Sequence, residues 1–206
     1  MPCGGHHAPT YERLSAMNSP QTKPVRDSEI LKRKKGLILV YTGDGKGKTT
    51  AALGVVFRAL GWGWRIAMIQ FIKGNWKYGE LETAKKFSSN FEILQMGEGF
   101  TWDTKNPERD RERVQAGWKV CEEKMLSGNY QLLVFDEINY VIDYHYLNVE
   151  TVVSALKKKP KDLHVILTGR NAKPELIEAA DLVTEMKEVK HPFRDQQIPA
   201  QKGIDF

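Results

Sequence analysis

The chain has 206 residues, of which 41% are hydrophobic and 28% are charged, and its formal net charge is +5. This length suits one α/β domain with a full core and is short for two. No apolar run approaches the roughly 18 residues that a membrane span requires, and residues 1–28 hold no apolar stretch of signal-peptide length. The two cysteines, Cys3 and Cys121, form neither a disulfide framework nor a metal-binding set, so we expect a cytoplasmic location.

Positive charge is concentrated in two short clusters, residues 32–35 and residues 157–161. Such clusters attract nucleic acid or other polyanions, including a nucleoside triphosphate. They also occur as solvated edges at the ends of helices and strands, and this second interpretation is favoured here. Residues 1–30 contain four prolines and little hydrophobic periodicity. We therefore predict a flexible N-terminal segment over 1–34 and one folded domain over 35–206.

The most informative stretch is residues 37–50, which reads LILVY followed by TGDGKGKTT. The apolar run predicts a buried strand, and the residues after it are good helix formers. A glycine-rich turn between a strand and a helix N-terminus is the context of a phosphate-binding P-loop, whose backbone N–H groups converge on an anion. In such a loop Lys48 supplies charge to phosphate oxygens, and the Thr49 hydroxyl reaches a phosphate-bound Mg²⁺. The alternative is a plain glycine-rich turn with a solvated lysine.

The loop departs from the usual pattern at one position. The pattern places a glycine five residues before Gly47, and this chain has Thr42 there. The loop is therefore a variant, and the path of a triphosphate through it need not match that in common NTPases.

The remaining elements follow in chain order. Strands are predicted at 65–72, 91–96, 130–135, 163–168 and 182–186, and helices at 51–60, 80–87, 107–127, 149–156 and 174–180. The helix that begins at Pro107 has an apolar stripe, Val114, Trp118, Cys121 and Met125, which we assign to the core. Beyond residue 190 we expect the chain to pack along the domain through four apolar side chains: Phe193, Ile198, Ile204 and Phe206. The alternation predicts an α/β fold of the P-loop NTPase-like (RecA-like) kind, with a mostly parallel sheet and helices on both faces.

A pair of acidic residues, Asp136 and Glu137, comes directly after the fully apolar run 132–135. An acid at the carboxyl end of a central parallel strand faces the phosphate loop and holds Mg²⁺ directly or through water. Many strands end in polar residues, so the pair is informative mainly because the glycine-rich loop lies upstream.

Two further polar residues belong to the predicted strand 163–168 or to the turn after it. Arg170 lies at the carboxyl end of 163–168, where open α/β sheets bind ligands. It is either a phosphate ligand or an ordinary surface arginine. His164 has no acidic or cysteine neighbour in sequence and is interpreted as structural. Neither a Ser/His/Asp nor a Cys/His set is visible, and an enzyme without a general base is possible if its nucleophile arrives already activated.

From residue 35 to residue 206 the chain resembles the P-loop family of ATP:corrinoid adenosyltransferases, the cob(I)alamin adenosyltransferases of bacterial cobalamin synthesis. Six blocks carry the resemblance in order: TGDGKGKTT at 42–50, QFIKG at 70–74, MGEGFTW at 96–102, FDE at 135–137, LTGR at 167–170, and KHPF at 190–193 with QKGIDF at 201–206. Family members often carry Asn where this chain has Asp44. The extra negative charge is either offset by Lys46 or lowers nucleotide affinity.

The resemblance implies a reaction in which a Co(I) corrinoid attacks the 5′ carbon of ATP and releases triphosphate. It also implies that Phe100 and Trp102 pack below the corrin ring and exclude the lower axial ligand, which makes Co(II) easier to reduce. ATP would bind in the reverse of the usual orientation. The N-terminal segment would fold over the corrinoid, which is cob(I)alamin or a cobinamide-type precursor. A homodimer, an electron-donating flavoprotein partner and Mg²⁺ or Mn²⁺ as the cation are further implications.

These arguments define three sets of candidate site residues. The catalytic candidates are Lys48, Phe100 and Trp102. The nucleotide-binding candidates are Gly43, Asp44, Gly45, Lys46, Gly47, Lys48, Thr49, Thr50, Arg58 and Arg170. The metal-binding candidates are Thr49, Asp136 and Glu137.

Three other classes of function use the same motifs. A RecA-like ATPase that binds nucleic acid and a small-molecule kinase would both produce ADP. A corrinoid carrier without catalytic activity would bind the ring and leave ATP intact. No binding to nucleic acid and no membrane span are expected for the adenosyltransferase.

Overall fold

The computed structural model describes residues 34–73, 78–96 and 107–206. The strands are β1 Ile38–Thr42, β2 Ile66–Gln70, β3 Phe91–Gln95, β4 Leu132–Asp136, β5 His164–Thr168 and β6 Leu182–Glu185. The helices are α1 Lys48–Leu60, α2 Gly79–Lys86, α3 Pro107–Leu126, α4 Ile138–Asp143, α5 Val149–Lys158, α6 Pro174–Ala179 and α7 Pro192–Gln196.

The strands form one six-stranded sheet in the order β3-β2-β4-β5-β1-β6, and every neighbouring pair is parallel. Helices connect the strands because a parallel pair needs a crossover long enough to return to the same end of the sheet. Each predicted strand and helix among the described residues is present. Two short helices, α4 and α7, were not predicted.

Helices cover both faces of the sheet, as predicted for this fold. Alternate residues of each strand point to opposite faces. In β4, Leu133 and Phe135 pack on one face with α3, α5 and α6. Leu132 and Val134 pack on the other face with α1 and α2. The predicted stripe of α3 lies in the first of these two cores, where Trp118 and Cys121 are 3% and 0% exposed.

The carboxyl ends of the strands lie along one edge of the sheet. Gln70 of β2 pairs in register with Asp136 of β4, and Thr168 of β5 pairs with Tyr41 of β1. Because β5 lies between β1 and β4, Thr168 is placed between the glycine-rich loop and the acidic pair. The register therefore brings four separate sequence segments to one edge.

The segment after β6 differs from expectation. Phe193 and Ile204 are 55% and 81% exposed, so the prediction that they pack along the domain is wrong, whereas Ile198 is half-buried. An ion pair between Lys46 and Asp205 holds this segment to the glycine-rich loop, and a second one of 2.7 Å, between Arg194 and Glu188, lies within the segment. Within the described part of the chain, no helix is both long enough and apolar enough to cross a bilayer.

Candidate nucleotide-binding site

The glycine-rich loop connects β1 to α1 and needs glycine for two reasons. Gly43 and Gly47 have φ values of 92° and 108°, which side chains rarely adopt. At Gly45 the reason is space, because a Cβ there would lie 2.7 Å from the backbone carbon of Lys187. The chain after β6 thus crosses directly against the loop, and the Gly45 N–H donates to the Met186 carbonyl at 2.7 Å.

The departure at Thr42 has a structural explanation. The Thr42 hydroxyl oxygen accepts a hydrogen bond of 3.1 Å from the Ala172 N–H. Its carbonyl accepts a second bond of 2.8 Å from the Met186 N–H. A glycine could not make the first of these bonds, so the threonine side chain ties the start of the loop to the segment before α6.

Lys48 is the first residue of α1, and its side chain lies over the loop. The ammonium donates to the carbonyls of Gly43 and Gly45 at 2.7 and 2.6 Å. Burial lowers the pKa of Lys48, and the nearby carboxylate of Glu137 acts in the opposite direction. The ammonium is thus held against the glycine-rich loop, as expected for the lysine of a P-loop.

The predicted metal ligands meet around the side chain of Asp136, which is fully buried. Its Oδ1 atom accepts hydrogen bonds of 2.8 Å from the hydroxyls of both Thr49 and Thr168. Its Oδ2 atom accepts one of 3.3 Å from the Gln70 amide. The structure thus brings Thr49 and Asp136 into direct contact, although 87 residues separate them in sequence.

Glu137 follows Asp136 with φ 64°, in the left-handed region that side chains rarely adopt, and caps the N-terminus of α4. Its N–H donates to the Thr168 hydroxyl at 2.9 Å. The Oε2 atom is buried and has no hydrogen-bond partner among the described residues. Burial, and then the charge of Asp136, raise the pKa of Glu137 to about 7. Gly169 makes this packing possible, because a Cβ there would lie 3.2 Å from that same oxygen.

Most of the nucleotide-binding candidates line one cleft of about 910 Å³. Its walls are the loop residues 44–50, Glu137, Arg170, one side of α1 and the turn 203–206. Arg170 is near enough to affect the pKa of both Lys48 and Glu137. Arg58 lies exposed in the last turn of α1 and is not among the lining residues, and neither is Gly43.

Asp44 and Lys46 are both exposed at the mouth of the cleft. The ammonium of Lys46 is paired with Asp205 and not with Asp44. The charge of Asp44 acts to raise the pKa of Lys48, but the larger effect of burial keeps that pKa lowered.

Several residues of the cleft were not predicted. Lys73 donates to Glu80 at 2.7 Å and lies 3.7 Å from Asp136. Burial acts to lower the pKa of Lys73, but the carboxylates of Asp136 and Glu80 outweigh it, so the pKa is raised. Burial and the charge of Glu137 raise the pKa of Tyr140 to about 12. The sequence did indicate that Lys73 lies at this edge of the sheet, because it follows a core strand and the carboxyl ends of parallel strands meet at one edge.

The predicted roles of Phe100, Trp102 and the N-terminal segment receive no test, and residues 1–33 of that segment lie outside the described residues. Phe100 and Trp102 lie outside the described residues, so their predicted place below a corrin ring stays a prediction. His164, by contrast, is structural as predicted: its Nδ1 atom accepts from the Leu37 N–H at 3.1 Å and its ring stacks on Trp64.

A glycine-rich loop between β1 and α1, facing acids at the end of a parallel strand, defines a P-loop nucleotide-binding protein of the α/β class. The solved structure of the flagellar accessory protein FlaH from Methanocaldococcus jannaschii has the same fold, with a TM-score of 0.50, 13% identity, and coverage of 79% of this chain and 78% of that one. That likeness concerns the fold alone.

The family is decided by sequence. Residues 34–206 match the family model described as ATP:corrinoid adenosyltransferase BtuR/CobO/CobP, and the chain belongs to this family. It is 40% identical over 200 residues to a corrinoid adenosyltransferase of Pseudomonas aeruginosa, covering 97% of this chain and 95% of the relative. It is 44% identical over 195 residues to one from a Sinorhizobium species, covering 93% and 91%.

Proposed function

We propose that this protein transfers the 5′-deoxyadenosyl group of ATP to the Co(I) centre of a corrinoid and releases triphosphate. The observation that carries the proposal is the match to corrinoid adenosyltransferases over nearly the whole length of both chains. The cleft supports it, because a phosphate loop, Lys48 and the acidic pair occupy the positions that bind a nucleoside triphosphate.

The step needs no proton transfer. The electron pair of Co(I) forms a cobalt–carbon bond at C5′ while the C5′–O bond breaks. The oxygen leaves with its electron pair, so cobalt becomes formally Co(III) and the triphosphate gains negative charge. The protein therefore has to align the carbon and stabilise the leaving group. Lys48, whose ammonium lies over the glycine-rich loop, performs the second task together with backbone N–H groups of that loop.

A divalent cation fits the acidic end of the cleft. Thr49 and Asp136 are in contact, and the buried, unpartnered oxygen of Glu137 is available as a further ligand or as an acceptor for a bound water. Among the described residues no cluster of three or more His, Cys, Asp or Glu side chains exists. This suits Mg²⁺, which usually takes one or two carboxylates and completes its shell with water and phosphate oxygens. Mg²⁺, or Mn²⁺, would neutralise charge on the triphosphate.

The remaining parts of the proposal rest on the family resemblance. Phe100 and Trp102 cover the lower face of the corrin, and residues 1–34 fold over the bound ring. Cob(I)alamin or a cobinamide-type corrinoid is the acceptor, and a flavoprotein supplies the electron that generates Co(I). The enzyme works as a homodimer in the cytoplasm, and ATP lies in the reverse of the usual orientation.

One anaerobic assay tests the reaction. The protein is mixed with ATP, Mg²⁺ and a chemically reduced corrinoid, and the phosphate products are separated. The proposal requires stoichiometric triphosphate together with a light-sensitive alkylcobalt spectrum. Formation of ADP points to a kinase or an ATPase, and intact ATP points to a carrier. Either of these results overturns the proposal.

A further inference from the structure

A second lysine lies in the cleft and has no assigned task. Lys73 comes three residues after the end of β2, and its side chain is 18% exposed. Its ammonium is 2.7 Å from Glu80, 3.7 Å from Asp136 and 4.6 Å from the centre of the Tyr78 ring. All these residues except Asp136 line the same cleft as Lys48 and Arg170.

Asp136 does not need Lys73 as a hydrogen-bond partner. Both of its oxygens already accept bonds, from Thr49, Thr168 and Gln70. The distance of 3.7 Å to Lys73 is longer than a direct hydrogen bond, so the attraction between them is one of charge. An ammonium has three N–H donors, and within the described residues a hydrogen bond from Lys73 is recorded only to Glu80. Lys73 therefore keeps donors that can turn toward a ligand.

The sheet order places the acids between two lysines. Lys48 follows β1 and Lys73 follows β2, while β4, which carries Asp136, lies between these strands together with β5. Thr49, Asp136 and Glu137 would hold a cation bound with a triphosphate, and the triphosphate at the glycine-rich loop would then lie at the edge that both lysines share. Such a cation would offset the charge of Asp136, so that the phosphates would become the main negative charge facing Lys73.

We propose that Lys73 is a second phosphate-binding lysine, which is attracted to Asp136 at 3.7 Å in this structure and turns its ammonium to the triphosphate when the nucleotide and its cation are bound. Glu80 is a positioning residue that keeps the side chain at the wall of the cleft. The inference rests on the proposed function, since it names a ligand of the same leaving group. A lysine at that place strengthens its contact as the C5′–O bond breaks, because the triphosphate then gains charge.

The test measures binding of inorganic triphosphate with Mg²⁺ to the full chain by titration calorimetry, without turnover. We expect Lys73→Gln to weaken binding by at least about 10-fold, the range for losing a hydrogen bond to a charged group. Lys73→Arg keeps the charge and should stay within about 5-fold of the wild type. The matched control is Lys85→Gln on α2, where Lys85 pairs with Glu82 at 2.6 Å but lies 71% exposed and outside the cleft. It should change binding by less than about 2-fold.

A second measurement uses the wild type, in case Lys73→Gln fails to fold. Lysines are acylated with acetic anhydride, with and without saturating Mg²⁺ and triphosphate, and quantified by mass spectrometry. Protection of Lys73 but not of Lys85 supports the inference. Equal binding by Lys73→Gln and the wild type, or unchanged acylation of Lys73 on saturation, overturns the inference alone. A wild type that does not bind triphosphate at all overturns the proposed function and this inference with it.

Discussion

Glu137 gives a pH-dependent prediction that can be tested without any ligand. Its pKa in the folded protein is about 7, against an ordinary value of 4.5, because burial and the neighbouring Asp136 disfavour its charge. The pKa is raised on folding, so the protonated form is the one that the folded state prefers. The stability that Glu137 contributes through this shift is therefore fully present below pH 4.5. It is lost progressively as the pH rises to about 7, and above that pH the contribution changes no further.

The magnitude follows from the same values. Each pH unit between the two pKa values costs about 1.4 kcal/mol, which makes a total of about 3 kcal/mol by pH 7. Glu137→Gln keeps the shape of the side chain and removes its titration. We expect the free energy of unfolding of the wild type to fall by about 3 kcal/mol relative to this variant between pH 4.5 and pH 7.

The assay is urea denaturation followed by tryptophan fluorescence, at intervals from pH 4.5 to pH 8, with EDTA to remove divalent cations. Glu178→Gln, at an exposed position of α6, is the control for a general effect of removing one carboxylate. The reasoning is refuted if the difference between wild type and Glu137→Gln is constant across this range. It is also refuted if Glu178→Gln shows the same pH dependence.

Three further predictions concern the loop, its lysine and the aromatic residues. Gly45→Ala places a Cβ against the crossing backbone of residue 187. It should lower the affinity for ATP at least about 10-fold, since each 1.4 kcal/mol of strain corresponds to a tenfold change. The control is Gly54→Ala, which adds a methyl group in open space on α1 and should bind ATP normally while gaining up to about 1 kcal/mol of stability. Lys48→Ala should weaken ATP binding by more than about 10-fold in calorimetry, whereas Arg58→Ala should leave the affinity within about 2-fold of the wild type. Equal losses in the two variants would show that ATP does not bind in this cleft. Trp102→Ala should reduce turnover from Co(II) more than turnover from prereduced Co(I), and equal reductions would remove the axial-ligand explanation.

Local pattern was sufficient to predict the elements of the sheet and the identity of the loop. The apolar run before Thr42 and the glycines after it can form little else than a buried strand and an anion-binding turn. The α3 stripe from Val114 to Met125 was equally predictable, because a period of 3.6 residues places all four side chains on one face. The failure at Phe193 and Ile204 has the opposite cause, since these two apolar residues follow no period.

The contacts of the site could be predicted only in part. A strand that ends in Asp136 suggested a metal ligand, but Thr168 and Gln70 gave no local sign that they would share that carboxylate. Their contribution depends on strand order, because β5 and β2 flank β4. The position of Lys73 after β2 indicated that it lies at this edge, but its contacts with Asp136 and Glu80 could not be predicted, because these residues lie on other elements.

The sequence by itself determined the class of fold, the phosphate loop with its variant Thr42, and the resemblance to corrinoid adenosyltransferases. These depend on residues that are close in the chain or on blocks in a recognisable order. Only the tertiary structure decided what the side chains contact: Thr42 bonds to Ala172, the segment after β6 requires a glycine at position 45, and Lys73 shares the cleft with Lys48. The physical reason is that burial, charge and hydrogen bonding act between neighbours in space, and the order of strands in the sheet selects those neighbours.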